Sequence, residues 1–386
     1  MGVFLTYQNC MRNMRIMFTF PRKKYETLNT IRIYQDRILH NFRKTQEWSQ
    51  GKQIGVVVKS NGYGHGIVEI AKIVDHLDIA YIFADSTYEA LRLKDADIQT
   101  PILILGFTRQ ENLEAKKYPF SFMAHSKASF QTLYKTQPHT PIHLFFNTGM
   151  NREGFDLHEL EWITNFIQKN NIQNIEGIAS HFAEADYMMP TQLTHSQVEN
   201  FETIKKHFSQ NNIPLKYAYM DASNSLVFGM ETSGNLVRAG RVLYGTGKDH
   251  VKYEQLKPAL ELVSRIVQVR NIKKGESVGY ASSFIAPQNM KIALIPIGYQ
   301  EGLERRLSNK GVMLVKDKPC PIVGNVSMNY SSIDISNVDV QLDDEVIVYS
   351  KERSDPNSLA ATAKLCGTIE HEILTRLNHT VRRIVV

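Results

Sequence analysis

Between residue 54 and about residue 245, short apolar runs alternate with amphipathic stretches. The runs are Ile54–Lys59, Ala80–Asp85, Pro101–Gly106, Phe120–Ala124, Ile142–Phe146, Ile175–His181, Tyr217–Asp221 and Leu236–Gly245. Several are apolar at nearly every position, as strands buried on both faces of a parallel sheet are. The stretches between them have helical spacing. Val68, Ile70, Ala71, Val74 and Leu77 fall on one face, and Leu157, Leu160, Ile163, Phe166 and Ile167 on another. Strand alternating with helix predicts parallel βαβ units. Eight such units close most naturally as a (β/α)8 barrel, whose active sites gather at the C-terminal strand ends. A helix from Tyr34 to Trp48 precedes the first run, and before it Leu28 to Ile33 reads as a strand outside the barrel.

After about residue 250 the rhythm becomes all-β. Leu262–Val269, Lys291–Pro296, Gly311–Val315, Ile322–Met328, Ser332–Ile335 and Glu345–Tyr349 are short apolar runs with turn residues between them. Two late helices are expected near Ser358–Leu365 and Thr368–Leu377. The expected fold class is therefore α/β, a (β/α)8 TIM-type barrel followed by a mainly β C-terminal domain. The expected division is residues 1–25 as an extension, 26–250 as the barrel and 251–386 as the β domain, with 28–33 a candidate strand of the latter.

The chain has 386 residues, enough for two domains of common size. No apolar stretch approaches the ~18 residues of a membrane span. The burst Ile16–Phe20 is too short for a signal-peptide core, so residues 1–25 read as an extension without catalytic content. Cys10, Cys320 and Cys366 are widely spaced; they suit a reducing cytoplasm and show no metal-ligand spacing, so no metal is expected. The net charge of +6 comes from scattered basic pairs such as Lys116-Lys117 and Arg305-Arg306. No basic stripe with interleaved aromatics appears, which argues against nucleic acid as a partner.

The chemistry begins where the first run stops at a lysine, in Val57-Val58-Lys59-Ser60-Asn61-Gly62-Tyr63-Gly64-His65-Gly66. A desolvated lysine loses its proton readily and can form a Schiff base with an aldehyde. The glycines let backbone approach a ligand, and Tyr63 offers a hydroxyl. A strand ending in a solvated lysine gives the same pattern, and the other strand ends decide between the two readings. Strand five runs into Asn147-Thr148-Gly149-Met150-Asn151-Arg152, strand six into His181-Phe182-Ala183-Glu184-Ala185-Asp186, strand seven into Ala222-Ser223-Asn224-Ser225, and strand eight carries Val237-Arg238-Ala239-Gly240-Arg241.

These segments resemble the motifs of the alanine racemase family over roughly residues 26–386, beginning with its cofactor-lysine motif V-V-K-A-N-A-Y-G-H-G. The resemblance implies pyridoxal 5'-phosphate (PLP) as cofactor, held by Lys59 through a Schiff base, with Tyr63, Asn224, Ser225, Gly240 and the backbone of Arg241 serving its phosphate. His181 would pack on the cofactor ring and Arg238 would face the ring nitrogen. An arginine there stays charged and disfavours protonation of that nitrogen, so carbanion density stays near Cα. Arg152, planar and able to make two parallel N–H bonds, would hold the substrate carboxylate together with the backbone of Met328. Tyr280, in Ser277-Val278-Gly279-Tyr280-Ala281, would be the second base opposite Lys59, supplied by the partner of a homodimer. Asp186, Tyr299, Arg305 and Ile369 would line the entrance corridor.

The chain departs from the family pattern at several positions. Asn147 replaces an aspartate, and Phe145 stands where some members carry a carbamylated lysine that braces the arginine. Asn325 replaces a corridor arginine. His371 stands where a tyrosine usually touches phosphate and substrate. The leading reading is a cytoplasmic alanine racemase. Serine or broader amino-acid racemisation is an alternative; a PLP-dependent decarboxylase of the same fold and a non-catalytic PLP-binding barrel are others. The decarboxylases carry E-P-G-R where this chain has Arg238-Ala239-Gly240-Arg241, and the β domain with Tyr280 argues against the last.

Overall fold

Eight parallel strands, Gln53–Val57, Tyr81–Ala84, Ile102–Ile104, Ser121–Ala124, Ile142–Phe145, Ile175–Ala179, Tyr217–Tyr219 and Leu236–Ala239, follow one another around a barrel in chain order. The computed structural model describes residues 26–185, 189–230, 232–247 and 250–386. The expected N-terminal extension and Asp186 lie outside the described residues. The eighth strand pairs in parallel with the first, Ile54 opposite Val237 and Gly55 opposite Arg238. The seam between the seventh and eighth strands is closed by Asn235. Its amide accepts from Ala218 N at 2.9 Å and donates to Lys216 O at 2.7 Å.

The strands are shorter than the apolar runs. The run from Leu236 to Gly245 is a strand only to Ala239, and Arg241–Tyr244 turns helical. Buried apolar side chains accompany both conformations, so hydrophobicity alone could not mark the change. Val57, Phe83, Leu103, Met123, Phe145, Tyr217 and Tyr219 fill the lumen. The surrounding helices bury most of their expected stripes; in Ile67–Val74 the buried residues are Ile67, Ile70, Ala71, Ile73 and Val74, while the expected Val68 and Leu77 are half-buried against the core.

The polar side chains inside the lumen form one network. His143 is fully buried, with Nδ1 3.0 Å from the Tyr219 hydroxyl and Nε2 3.3 Å from Glu176 Oε2. A carboxylate only accepts, so Nε2 carries the proton and Nδ1 accepts from Tyr219. Tyr81 also donates to Glu176, and Lys216 Nζ donates to its Oε1 at 3.1 Å.

The second unit is a nine-stranded sheet in the spatial order Gln268–Ile272, Met290–Ile295, Ser331–Asp334, Lys318–Val323, Val312–Val315, Glu345–Tyr349, Leu260–Arg265, Thr30–Ile33, Arg382–Val385. Thr30–Ile33 pairs antiparallel with Leu260–Arg265 and parallel with Arg382–Val385, so the first and last strands among the described residues are neighbours in this sheet. The single run expected over Leu262–Val269 divides into the strands Leu260–Arg265 and Gln268–Ile272, and two features fall wholly outside the expected strand set. Arg382–Val385 is one, in a charged terminal stretch. The small hairpin of Ser277–Val278 and Phe284–Ile285 is the other, too short for a period-2 signal. The run expected over Ile322–Met328 ends as strand at Val323.

Arg383 ties the two units together. Its Nε donates to Gly64 O at 2.9 Å, and its Nη1 donates to Asn378 O and Val381 O at 3.0 and 2.8 Å. The loop after Lys59 is thus held from the β domain.

Candidate active site

A cavity of about 610 Å³ opens at the C-terminal strand ends of the barrel. Lys59, Tyr63, Arg152, His181, Asn224, Ser225, Arg238, Gly240 and Arg241 line it. They come from five strand ends spread over residues 59 to 241, brought together by barrel closure.

Lys59 begins a turn with unusual backbone. Ser60, Asn61 and Tyr63 have φ of 55°, 54° and 50°, a left-handed turn that costs non-glycine residues about 1–2 kcal/mol each. Local hydrogen bonds hold it. Glu89 Oε1 accepts from Asn61 N at 3.0 Å and its Oε2 accepts from Asp85 N at 2.9 Å; Asn61 Oδ1 accepts from Ile67 N at 3.1 Å. Strain stored beside a cavity is characteristic of functional segments. The turn projects Tyr63 over Gly240, where an added Cβ would stand 3.0 Å from the tyrosine hydroxyl. Lys59 Nζ lies 3.8 Å from Asp85 Oδ1.

Arg238 is 8% exposed on the last strand. Its Nη2 donates to Ser180 O, to Met220 O at 3.2 Å and to His181 Nδ1 at 3.2 Å; its guanidinium lies 5.4 Å above the Tyr219 ring. Because Arg238 only donates, His181 carries its proton on Nε2. Burial, then the charges of Arg238, Arg152 and Lys59, hold His181 well below the ordinary imidazole range. Burial raises the Tyr63 phenol, partly offset by Arg241 and Arg238.

The residues around the cavity fit PLP. Lys59 would supply an amine for its aldehyde. Among the described residues Arg238 Nε is buried without a hydrogen-bond partner, a donor available to a ligand. Tyr63 and Asn224 with the serines of the 222–225 turn supply polar groups suited to a phosphate, and Gly240 keeps that corner open. Ser223, beside the expected Asn224 and Ser225, is part of this corner; its hydroxyl accepts from Gly240 N at 3.1 Å and Val242 N at 3.3 Å. Ser225 Oγ instead accepts from Ala222 N and donates within its own turn.

Other expected site residues are not among those that line the cavity. Tyr280 is 75% exposed, on the turn of the small hairpin, where Asn325 Nδ2 donates to its carbonyl at 3.1 Å. Met328, Tyr299, Arg305 and Ile369 are also exposed on the β domain. His371 is half-buried on the helix Glu370–Thr375, outside the cavity lining; its Nδ1 is buried with no partner. Burial, then the charge of Arg241, brings it down to about 4.

Sequence reasoning passed over Asp85, Glu89, Glu153 and Ser223. Asp85 carried a signal, as the polar terminus of an apolar run. Glu89 did not, because its role depends on the fold of a turn almost thirty residues away.

Fold and cavity together define a two-domain barrel enzyme with its chemistry collected at the C-terminal strand ends. Residues 33–248 match the alanine racemase N-terminal domain and residues 259–385 the alanine racemase C-terminal domain. The chain belongs to the alanine racemase family. It is 33% identical to the alanine racemase of Carboxydothermus hydrogenoformans, over 91% of this chain and 97% of that protein. It is 32% identical to that of Fusobacterium nucleatum, over 92% and 99%. The alanine racemase structure from Bacillus anthracis with bound L-Ala-P superposes with a TM-score of 0.85 at 26% identity, covering 94% of this chain and 96% of that one.

Proposed function

We propose that this protein is a PLP-dependent racemase that interconverts L- and D-alanine with Lys59 and Tyr280 as its two bases. The observation that carries the reading is the convergence of Lys59, Tyr63, Arg152, His181 and Arg238 on one cavity from separate strand ends. PLP, when bound, supplies a conjugated ring that acidifies the Cα–H of an amino acid joined to it. Lys59 and Tyr63 would hold the aldehyde and phosphate ends, and Arg238 would face the ring nitrogen. Arg152 fixes the substrate carboxylate, so that Cα is presented to one base on each face. Lys59 Nζ takes or returns the proton on one face and the Tyr280 hydroxyl does so on the other.

Tyr280 is exposed on its hairpin and does not line the cavity of its own chain, so the reading includes a homodimer in which each copy lends Tyr280 and Met328 to the other. The exposed Tyr280, Tyr299, Met328, Tyr330 and Ile369 support such an interface. A cytoplasmic location belongs to the same proposal. Among the described residues no helix is long and apolar enough to cross a membrane, and Cys320 and Cys366 are free thiols.

The test is to incubate purified protein with PLP and L-alanine and follow D-alanine by chiral chromatography. Borohydride reduction and peptide mapping of the same preparation should find the cofactor on Lys59. Absence of D-alanine, or a label on another residue, overturns the reading.

A further inference from the structure

We infer that Glu153 is a positioning residue that grips the Arg152 guanidinium by one edge and leaves the other edge for the substrate carboxylate. The inference rests on the reading of Arg152 given above. Glu153 Oε1 accepts from Arg152 Nη2 at 2.6 Å, and Glu153 Oε2 accepts from Arg152 Nε. A guanidinium presents paired donors along two edges, Nε with Nη2 and Nη1 with Nη2. Glu153 covers the first. Among the described residues, Nη1 makes no hydrogen bond to protein, so the second edge is open to a carboxylate.

The support beneath the pair is rigid. Asn147 Nδ2 donates to Asn151 Oδ1 at 2.9 Å and to Asp156 Oδ1 at 3.0 Å, while its Oδ1 accepts from Gly149 N and Asn151 N at 3.2 and 2.9 Å. An aspartate at position 147 could not make the two donations. Gly154, at φ 114°, packs so close that an added Cβ would stand 2.7 Å from Asn147 N. Asn147 therefore holds the backbone just ahead of Arg152, and Glu153 holds the Arg152 side chain.

Glu153 keeps its charge at the cavity wall. Burial would raise its carboxyl, but the hydrogen bonds and charge of Arg152, then His125 and Lys59, outweigh that and lower it. The pair is close to neutral overall, and a pre-held arginine loses less freedom when it binds a carboxylate. The contribution belongs to binding, because both Glu153 oxygens are engaged by Arg152.

The test uses the PLP-loaded protein with Glu153→Gln, Glu153→Leu and Glu153→Asp. KM for L-alanine is measured together with the affinity for propionate, a carboxylate without an amino group, by thermal shift. For the Gln and Leu variants KM should rise about three- to fivefold, the size expected of a half-exposed ion pair. Propionate should weaken in parallel, kcat should stay within about twofold, and Glu153→Asp should recover part of the loss. An unchanged KM overturns the inference. So does a lowered KM, which would mean that Glu153 competes with substrate for Arg152. Arg152→Lys separates the two levels. If it leaves KM and propionate affinity unchanged, the assignment of Arg152 itself falls and this inference with it. If it weakens both while Glu153→Gln does not, only the role of Glu153 falls.

Discussion

Arg238 is a buried cation with no carboxylate in hydrogen-bond contact among the described residues. Carbonyl oxygens, the His181 nitrogen and the Tyr219 ring take the place of a counter-ion. Burial lowers its pKa, yet a guanidinium starts so high that it stays charged. A fixed positive donor facing a ring nitrogen discourages protonation there. Arg238→Glu should therefore slow racemisation by about a hundredfold, the scale of losing one well-placed donor. It should also raise the fraction of turnovers ending as pyridoxamine phosphate, read by chromatography of the released cofactor. Equal partitioning in both proteins would reduce Arg238 to a packing residue. His371 poses a question of specificity at the same scale. It is neutral at assay pH and has an unpaired Nδ1. One hydrogen bond made to a serine hydroxyl and not to alanine is worth about two- to tenfold in selectivity. His371→Tyr should lower the serine-to-alanine ratio of kcat/KM by that factor; an unchanged ratio removes His371 from specificity.

At the scale of elements, the barrel strands build the cavity at one end and pack a charged network into the lumen below it. Burial would raise the Glu176 carboxyl, but hydrogen bonds from His143, Tyr81 and Lys216 outweigh it and bring it to about 2, against an ordinary value of 4.5. A carboxyl depressed on folding contributes stability that is complete above pH 4.5 and is lost as pH falls through about 2. Glu176→Gln should lower the urea midpoint at pH 7, because the charge that binds Lys216 is gone. Between pH 4.5 and 2 it should then lose less further stability than the native protein. Parallel acid profiles for the two proteins would show that the network is not the acid-labile element.

At the scale of the whole molecule, the lysine and the tyrosine that the proposed mechanism needs lie in different places on one chain. Lys59 is in the barrel cavity and Tyr280 is on an exposed hairpin of the β domain. Mixing Lys59→Ala with Tyr280→Phe chains, each inactive alone, should restore part of the activity, because a hybrid dimer holds one intact site. Confirmed exchange of subunits without recovery would rule out a shared site.

Much was legible in the sequence because its signals are local. Eight apolar runs with amphipathic spacers already specify parallel βαβ units, and the change of rhythm after residue 250 marks the second unit. Lys59, Arg152 and His181 stand out because each follows or ends a run, where barrel geometry places functional groups, and Arg238 because it is a charge set within an apolar run. Other features depend on contacts between distant segments. Hydrophobicity did not separate strand from helix within Leu236–Gly245, since burial on the barrel rewards both. Thr30–Ile33 and Arg382–Val385 are neighbours only because the sheet brings together segments about 350 residues apart. The left-handed turn at Ser60–Tyr63 is stable because Glu89 reaches back from another βα unit. Glu153 reads as an ordinary surface residue until its bidentate contact with Arg152 is seen. The sequence by itself determined the order of elements and the residue types at the strand ends, because periodicity and side-chain chemistry are properties of short segments. Tertiary structure alone decided which charges meet and which hydroxyl faces which amide. Those choices are made by closure of the barrel, which no short segment encodes.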